Sequence, residues 1–207
     1  CPRRVRGTDA FDTYRWGGGT NSFDSPDVVG TGCADPDGFP AATPTVLMAI
    51  YRRETWIDAP FEEVWDFHST TEGLEALTPD FMRLEIDRVI GPDGDPDPAE
   101  LEAGSRIEMS MRPFGVGPRQ HIVSVITDRT RESGAGSFRD IMESGPFPEW
   151  EHTHQFFADG GRTRLVDRVE YRLPGGPLGQ AVSPLGQLGL APMFRGRHRA
   201  TKRLLEE

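Results

Sequence analysis

The residue types best suited to chemistry in this chain are two histidines and two aspartates carried by neighbouring extended segments. His152 and His154 stand two apart in Trp150-Glu151-His152-Thr153-His154-Gln155-Phe156-Phe157. Asp167 lies in the following run, Thr163 to Leu173, and Asp140 in the preceding one, Ser137 to Met142. An imidazole beside a carboxylate can act as a general base, because the carboxylate holds the tautomer and stabilises the imidazolium. That suits a cyclase or dehydratase, which removes a proton next to a carbonyl and protonates a leaving oxygen. The same groups can instead hold a ligand hydroxyl or carbonyl in place. They can also do neither, and pin the sheet register as a buried hydrogen-bond network. A His-x-His pair on a strand points both rings one way, as a metal site needs, and a carboxylate could complete it. Such pairs often orient other groups or serve structure instead, so no metal and no cofactor is assigned from the sequence.

The elements that must position these residues follow from alternation. Ala158-Asp159-Gly160-Gly161-Arg162 is a two-residue hairpin signal between alternating runs. With Gly160 and Gly161 as the turn, Asp159 faces Arg162, Trp150 faces Tyr171, His152 faces Val169, His154 faces Asp167 and Phe156 faces Leu165. Side chains alternate along a strand, so the groups from Trp150 to Phe156 and their partners share one side. In-phase pairing of Met142 with Trp150 adds Asp140 opposite His152 and Phe138 opposite His154. Glu151, Thr153, Gln155, Arg164, Val166, Arg168 and Glu170 fall on the other side, which is expected to meet water. Ionisable groups on an otherwise apolar wall point to a lined cavity rather than a plain core. The candidate acid–base groups are His152, His154, Asp140 and Asp167. The candidate ligand contacts are Met109, Met111, Phe138, Asp140, Trp150, His152, His154, Asp167 and Tyr171. A slip of one residue would undo both sets.

Of the 207 residues, those from Met48 onward suffice for one domain, which at that size buries roughly 70% of its unfolded surface. Both cysteines, Cys1 and Cys33, precede Met48, which removes thiol catalysis from that domain and fits a reducing compartment. The net charge of −10 argues against non-specific binding to nucleic acid or to an anionic membrane. Lys202 is the single lysine among 23 basic residues, a composition expected of a salt-adapted or very GC-rich genome. No apolar run reaches the length of a membrane span and no signal peptide opens the chain, so stable membrane insertion is not expected and the cytoplasm is the expected location.

Residues 1–47 are rich in Gly, Pro, Asp and Thr and lack periodicity, so they are expected to be a disordered or non-native N-terminal extension. Ala49 to Ile57 reads as a strand. Asp58-Ala59-Pro60 opens a helix with Pro60 in its first turn, and Phe61, Val64, Trp65 and His68 form its stripe. A second short helix spans Thr71 to Leu77, and Phe81 to Ile90 returns to strand. The loop carrying Asp93, Asp95 and Asp97 has Pro98 and Gly104 where an EF-hand needs Gly and Glu, so calcium binding is not assigned. Strands follow over Arg106 to Arg112 and Arg119 to Thr127, then the three described above. Gln180 to Leu190 is interrupted by Pro184, Gly186 and Gly189. Beyond it Leu190, Met193, Phe194, Arg197, Thr201, Leu204 and Leu205 make a helical stripe, with Arg195, Arg199, Lys202 and Arg203 opposite. His68 reads as a helix-end or surface group and His198, between Arg197 and Arg199, as solvated or interfacial; the pattern leaves the phase of His121 open. The fold class is α+β: a long closing helix against a curved antiparallel sheet buries both apolar faces.

Three separated runs resemble the SRPBCC superfamily, the START-like or Bet v 1-like proteins, in its ligand-binding or polyketide cyclase/dehydrase-like branch. They are Ile57-Asp58-Ala59-Pro60-Phe61-Glu62-Glu63-Val64-Trp65, the pair Ser144-Gly145-Pro146-Phe147 and Trp150 to Phe156, and Gly161 to Pro174. The resemblance covers residues 48–207 and implies a helix-grip fold, a bent antiparallel sheet gripping the C-terminal helix around a cavity, with two short helices after the first strand. The acidic loop from Pro92 to Ala103 is long for that pattern. The resemblance also implies an apolar partner such as a lipid, a polyketide or an isoprenoid-like molecule. The leading expectation is ligand binding without turnover. A cyclase or dehydratase using a His/Asp pair is the alternative from another class, and an accessory interaction module with a vestigial cavity is a third.

Overall fold

The computed structural model describes residues 48–206; the expected N-terminal extension lies outside the described residues. Strand β1 (Ala49–Ile57) leads into helices α1 (Phe61–His68) and α2 (Thr71–Leu77). Then come β2 (Glu85–Ile90), β3 (Arg106–Met111), β4 (Gln120–Glu132), β5 (Ala135–Ser144), β6 (Glu149–Asp159) and β7 (Arg162–Arg172). Helix α3 (Gly176–Val182) and the long α4 (Gln187–Leu205) close the chain. The strands form one curved antiparallel sheet in the order β1-β7-β6-β5-β4-β3-β2, with α4 across it in a helix-grip arrangement.

Local chemistry accounts for the elements. Pro60 is the N-cap of α1 rather than a residue of its first turn: it is extended, and its carbonyl accepts from the Val64 amide at 3.2 Å. The position suits a residue with no N–H to lose. Thr70 caps α2 by accepting the Gly73 amide at 3.0 Å. Gly160 and Gly161 both have positive φ, 55° and 90°, as a type I′ hairpin turn demands. The strand anticipated from Phe81 starts only at Glu85, because Asp80–Met82 forms a 3-10 turn and Arg83 takes a φ of 48°. The break before α4 is confined to the 3-10 turn Ser183–Gly186, and the helix runs through Gly189 and Pro192.

The register set by the hairpin places Trp150 opposite Tyr171, His152 opposite Val169, His154 opposite Asp167 and Phe156 opposite Leu165. Strands β5 and β6 pair Asp140 with His152 and Phe138 with His154, and their ladder ends at Ile141 and Glu151, short of Met142 and Trp150. Val166 on the outer face is 2% exposed instead of meeting water. It lies on an interior strand between Glu54 and Gln155, longer side chains that shield a small one.

Apolar packing gathers in three places. Ile57, Phe61, Val64, Trp65, Phe156 and Leu165 fix α1 to the sheet, and the Trp65 ring lies on Gly136, where a Cβ would come within 2.4 Å of it. Val89, Leu101, Ile107, Met109, Ile122 and Ile126 line the β2–β4 side. Tyr51, Val169, Tyr171, Leu190 and Phe194 join α4 to β1 and β7.

Candidate functional site

Between the sheet, α2 and α4 lies a chamber of about 630 Å³, within the range of about 300–1,000 Å³ usual for small-molecule sites. Most of its wall is apolar: Leu77, Met109, Met111, Ile122, Phe138 and Phe194 are among the lining residues. The ionisable groups in the wall are His68, Asp140, His152, His154 and Arg197. Phe114 and Leu188 line it too and are 69% and 75% exposed, so they belong to its open rim.

The polar groups converge on one buried carboxylate. Asp167, 1% exposed, is presented by β7 behind the wall. His152 Nε2 donates to its Oδ1 at 3.1 Å, and His198 Nε2, from α4, donates to its Oδ2 at 2.5 Å. His154 Nδ1 lies 2.6 Å from Oδ1 but off the hydrogen-bond axis. The other side of His152 faces Asp140, with Nδ1 3.5 Å from Oδ2, while Asp140 Oδ1 accepts the Ser124 hydroxyl at 3.0 Å. The His152 and His154 rings sit 3.9 Å apart, and His154 lies against Phe138 at 4.3 Å. His68 donates Nδ1–H to the Val64 carbonyl at 2.8 Å, its ring 6.4 Å from that of His154.

Burial sets the protonation of this cluster. It pulls His68 down to about 4 and His154 well below the usual imidazole value, the latter helped by the neighbouring His152. Both are neutral at physiological pH. Burial also works against charge on Asp167, but the contacts of His154, His152 and His198 outweigh it and hold that carboxyl well below the usual range. Asp140 is raised by burial, with His152 and the Ser124 hydroxyl opposing. Burial lowers Arg197, and Asp167 and Asp140 act against that.

Of the residues singled out as ligand contacts, Met109, Met111, Phe138, Asp140, Trp150, His152 and His154 line the chamber. Asp167 sits one layer behind the imidazoles, and Tyr171, fully buried, packs with Leu190 and Phe194. Two histidines depart from expectation. His198 is 3% exposed and bonded to Asp167 rather than solvated, and His68 is 7% exposed and lines the chamber rather than the surface. Both had a sequence signal. His68 completes the i, i+3, i+4, i+7 stripe of Phe61, Val64 and Trp65, and His198 lies four residues after Phe194 and three before Thr201. Flanking arginines obscured the second. Arg197, expected in the helical stripe, contributes a cation to the wall. His121 is exposed and takes no part.

The architecture is a helix-grip fold, the fold of START-like and Bet v 1-like proteins, and comparison with solved structures bears the fold out. A protein from Thermus thermophilus is similar at 19% identity and TM-score 0.51, over 75% of this chain and 95% of that one. A START superfamily protein from Mycobacterium smegmatis is similar at 12% identity and TM-score 0.51, over 76% and 97%. Norcoclaurine synthase from Thalictrum flavum, solved with dopamine and hydroxybenzaldehyde, is similar at 18% identity and TM-score 0.53, over 76% and 86%. No protein-family model and no curated protein matches the sequence.

Proposed function

We propose that residues 48–207 form a START-like domain that binds one small, mostly apolar organic molecule in the chamber and does not convert it. The apolar body of the ligand rests against Met109, Met111, Phe138 and Trp150, and an oxygen-bearing end reaches Asp140, His152 and His154, which Asp167 orders from behind. The observation that carries this is the chamber itself: about 630 Å³ of space with an apolar wall and two of its histidines set on one buried carboxylate. A vestigial cavity would be filled by its own side chains. A lipid, polyketide or isoprenoid-like molecule fits the lining chemistry. No helix among the described residues is long and apolar enough to cross a membrane, and a cytoplasmic location goes with this proposal.

Native mass spectrometry of the full chain tests it. A co-purified apolar species, or uptake of an added neutral fatty alcohol, is the expected result. A bare-chain mass in every preparation, with no uptake, defeats the proposal.

One observation favours the enzyme alternative. His152 and His154 stand in the chamber wall with ring nitrogens 3.1 and 2.6 Å from the buried Asp167 carboxylate, the side-chain pairing from which a general base is built. Catalysis predicts that His154→Ala and Asp167→Asn abolish conversion of a poly-β-keto or hydroxyketone substrate while binding persists. Simple recognition predicts a modest change in affinity and no conversion by the parent chain.

A further inference from the structure

We propose that Asp140, His152 and His154 form a site for one divalent transition-metal ion in the chamber wall. Each offers one ligating atom, and the three atoms lie within 4.8 Å of one another. An ion bonded at about 2.0–2.2 Å to each donor holds its donors roughly 3–4 Å apart, so small side-chain rotations close the set.

The layer behind the three residues is what separates them from an ordinary polar cluster. Metal-ligating histidines generally give their other ring nitrogen to a carboxylate, and ligating carboxylates are themselves hydrogen-bonded. Here His152 gives Nε2 to Asp167, and His154 places Nδ1 2.6 Å from the same oxygen. That leaves His152 Nδ1 and His154 Nε2 as the remaining nitrogens. His152 Nδ1 already faces Asp140 Oδ2 at 3.5 Å, and the other Asp140 oxygen is held by Ser124. Asp167 is in turn fixed through its second oxygen by His198. His152 and Asp140 thus each have an outer hydrogen-bond partner, and His154 has the Asp167 oxygen beside it without an aligned bond.

Two imidazoles and one carboxylate, without a thiol, select zinc, iron(II), cobalt(II) or nickel(II) over calcium or copper(I). Three protein ligands leave a coordination position open. Asp140, His152 and His154 all line the chamber, so that position is presented to a bound molecule. Asp140 and Asp167 offset a divalent charge, and the guanidinium of Arg197 in the same wall adds a further positive one. The open position therefore suits an anionic oxygen, a carboxylate or an enolate, better than a neutral one. The site is independent of whether the chamber holds an organic ligand, and the metal alone is the probe.

The test is titration of chelator-treated full-length chain with cobalt(II), followed by visible ligand-field absorption and by calorimetry. One cobalt per chain is expected, with bands of a four- or five-coordinate ion that added zinc abolishes. Asp140→Asn, His152→Gln and His154→Gln are each expected to weaken uptake by at least about 100-fold, and Asp167→Asn, one layer out, by about 10–100-fold. His121→Gln, at an exposed histidine, is expected to leave uptake unchanged. Melting curves without metal show whether each variant is folded, and cobalt should raise the melting temperature of the parent but not of Asp140→Asn. Absence of the absorption bands in the parent chain at millimolar cobalt overturns the proposal, whatever the variants do. Bands that survive in a folded Asp140→Asn/His152→Gln double variant overturn it too.

Discussion

Three imidazole nitrogens meet at the two oxygens of Asp167, whereas the His68 ring, 6.4 Å from that of His154, bonds to the Val64 carbonyl instead. The difference shows in acid. The unfolded chain takes up a proton at His68 near pH 6.5, whereas the folded chain does so only near 4. Between those values the unfolded state binds more protons, so this residue's contribution to stability is complete above about 6.5 and is lost as pH falls toward 4. The loss amounts to about 3 kcal/mol by the lower limit. Urea denaturation of the parent and of His68→Gln across that interval is expected to show a flatter profile for the variant; parallel profiles would refute the assignment. Asp167 adds a second acid-sensitive step of the same sign. Its depressed carboxyl stabilises the fold above the unfolded value of 3.8, and that stability is lost as pH falls below it through the folded value.

At the scale of elements, α1 is held to the sheet by a ring seated on bare backbone. Trp65 meets Phe138 and Phe156 edge-on at 6.1 and 5.5 Å and covers Gly136, and the Arg129 guanidinium lies over the ring at 5.2 Å. Trp65→Ala is expected to cost about 3–5 kcal/mol, and Gly136→Val about 1–3 kcal/mol or more by overpacking. In the double variant the smaller residue at 65 vacates the space that valine needs. The combined loss should therefore fall clearly short of the sum, and additive losses from chemical denaturation would show that the two residues are not in contact. Because α1 also carries His68, loosening this seat should disturb the chamber wall as well as the fold. Much of the element order could be anticipated from the chain. The hairpin at Gly160-Gly161 and the alternation on either side of it are enough to place His152, His154 and Asp167 on one face. The turn at Asp80–Met82 could not be anticipated, because Phe81 has strand propensity and its stacking on Phe114 at 4.8 Å joins loops distant in sequence.

Over the whole molecule, the sheet and α4 enclose space that their own side chains do not fill, and the exposed Phe114 and Leu188 form an apolar rim to it. Met109 projects from β3 into this space and is 6% exposed. Met109→Trp is expected to occupy the chamber and to reduce uptake of a neutral fatty alcohol at least about tenfold, equivalent to about 1.4 kcal/mol, while melting stays cooperative. Unchanged uptake by a folded Met109→Trp chain would place the ligand elsewhere. On the outer surfaces of the described residues, pairs such as Arg52–Glu54 and Arg172–Glu149 join charged groups of the sheet. Exposed pairs of that kind add about 0–1 kcal/mol each, so cohesion comes from the three apolar clusters.

Alternation, turn glycines and helical stripes are local properties, and they sufficed to give the order of elements along the chain, the pairing of β5, β6 and β7, and the shared face of Asp140, His152, His154 and Asp167. A strand pattern carries no information about what approaches that face from a distant part of the chain. Only the docking of α4 brought His198 onto Asp167, put Arg197 in the chamber wall, and moved Asp167 from expected ligand contact to a support behind two imidazoles. Depth, and with it desolvation and protonation, depends on how separate elements pack, as where His198 meets Asp167 across 31 residues of chain, and that is a property of the folded volume alone.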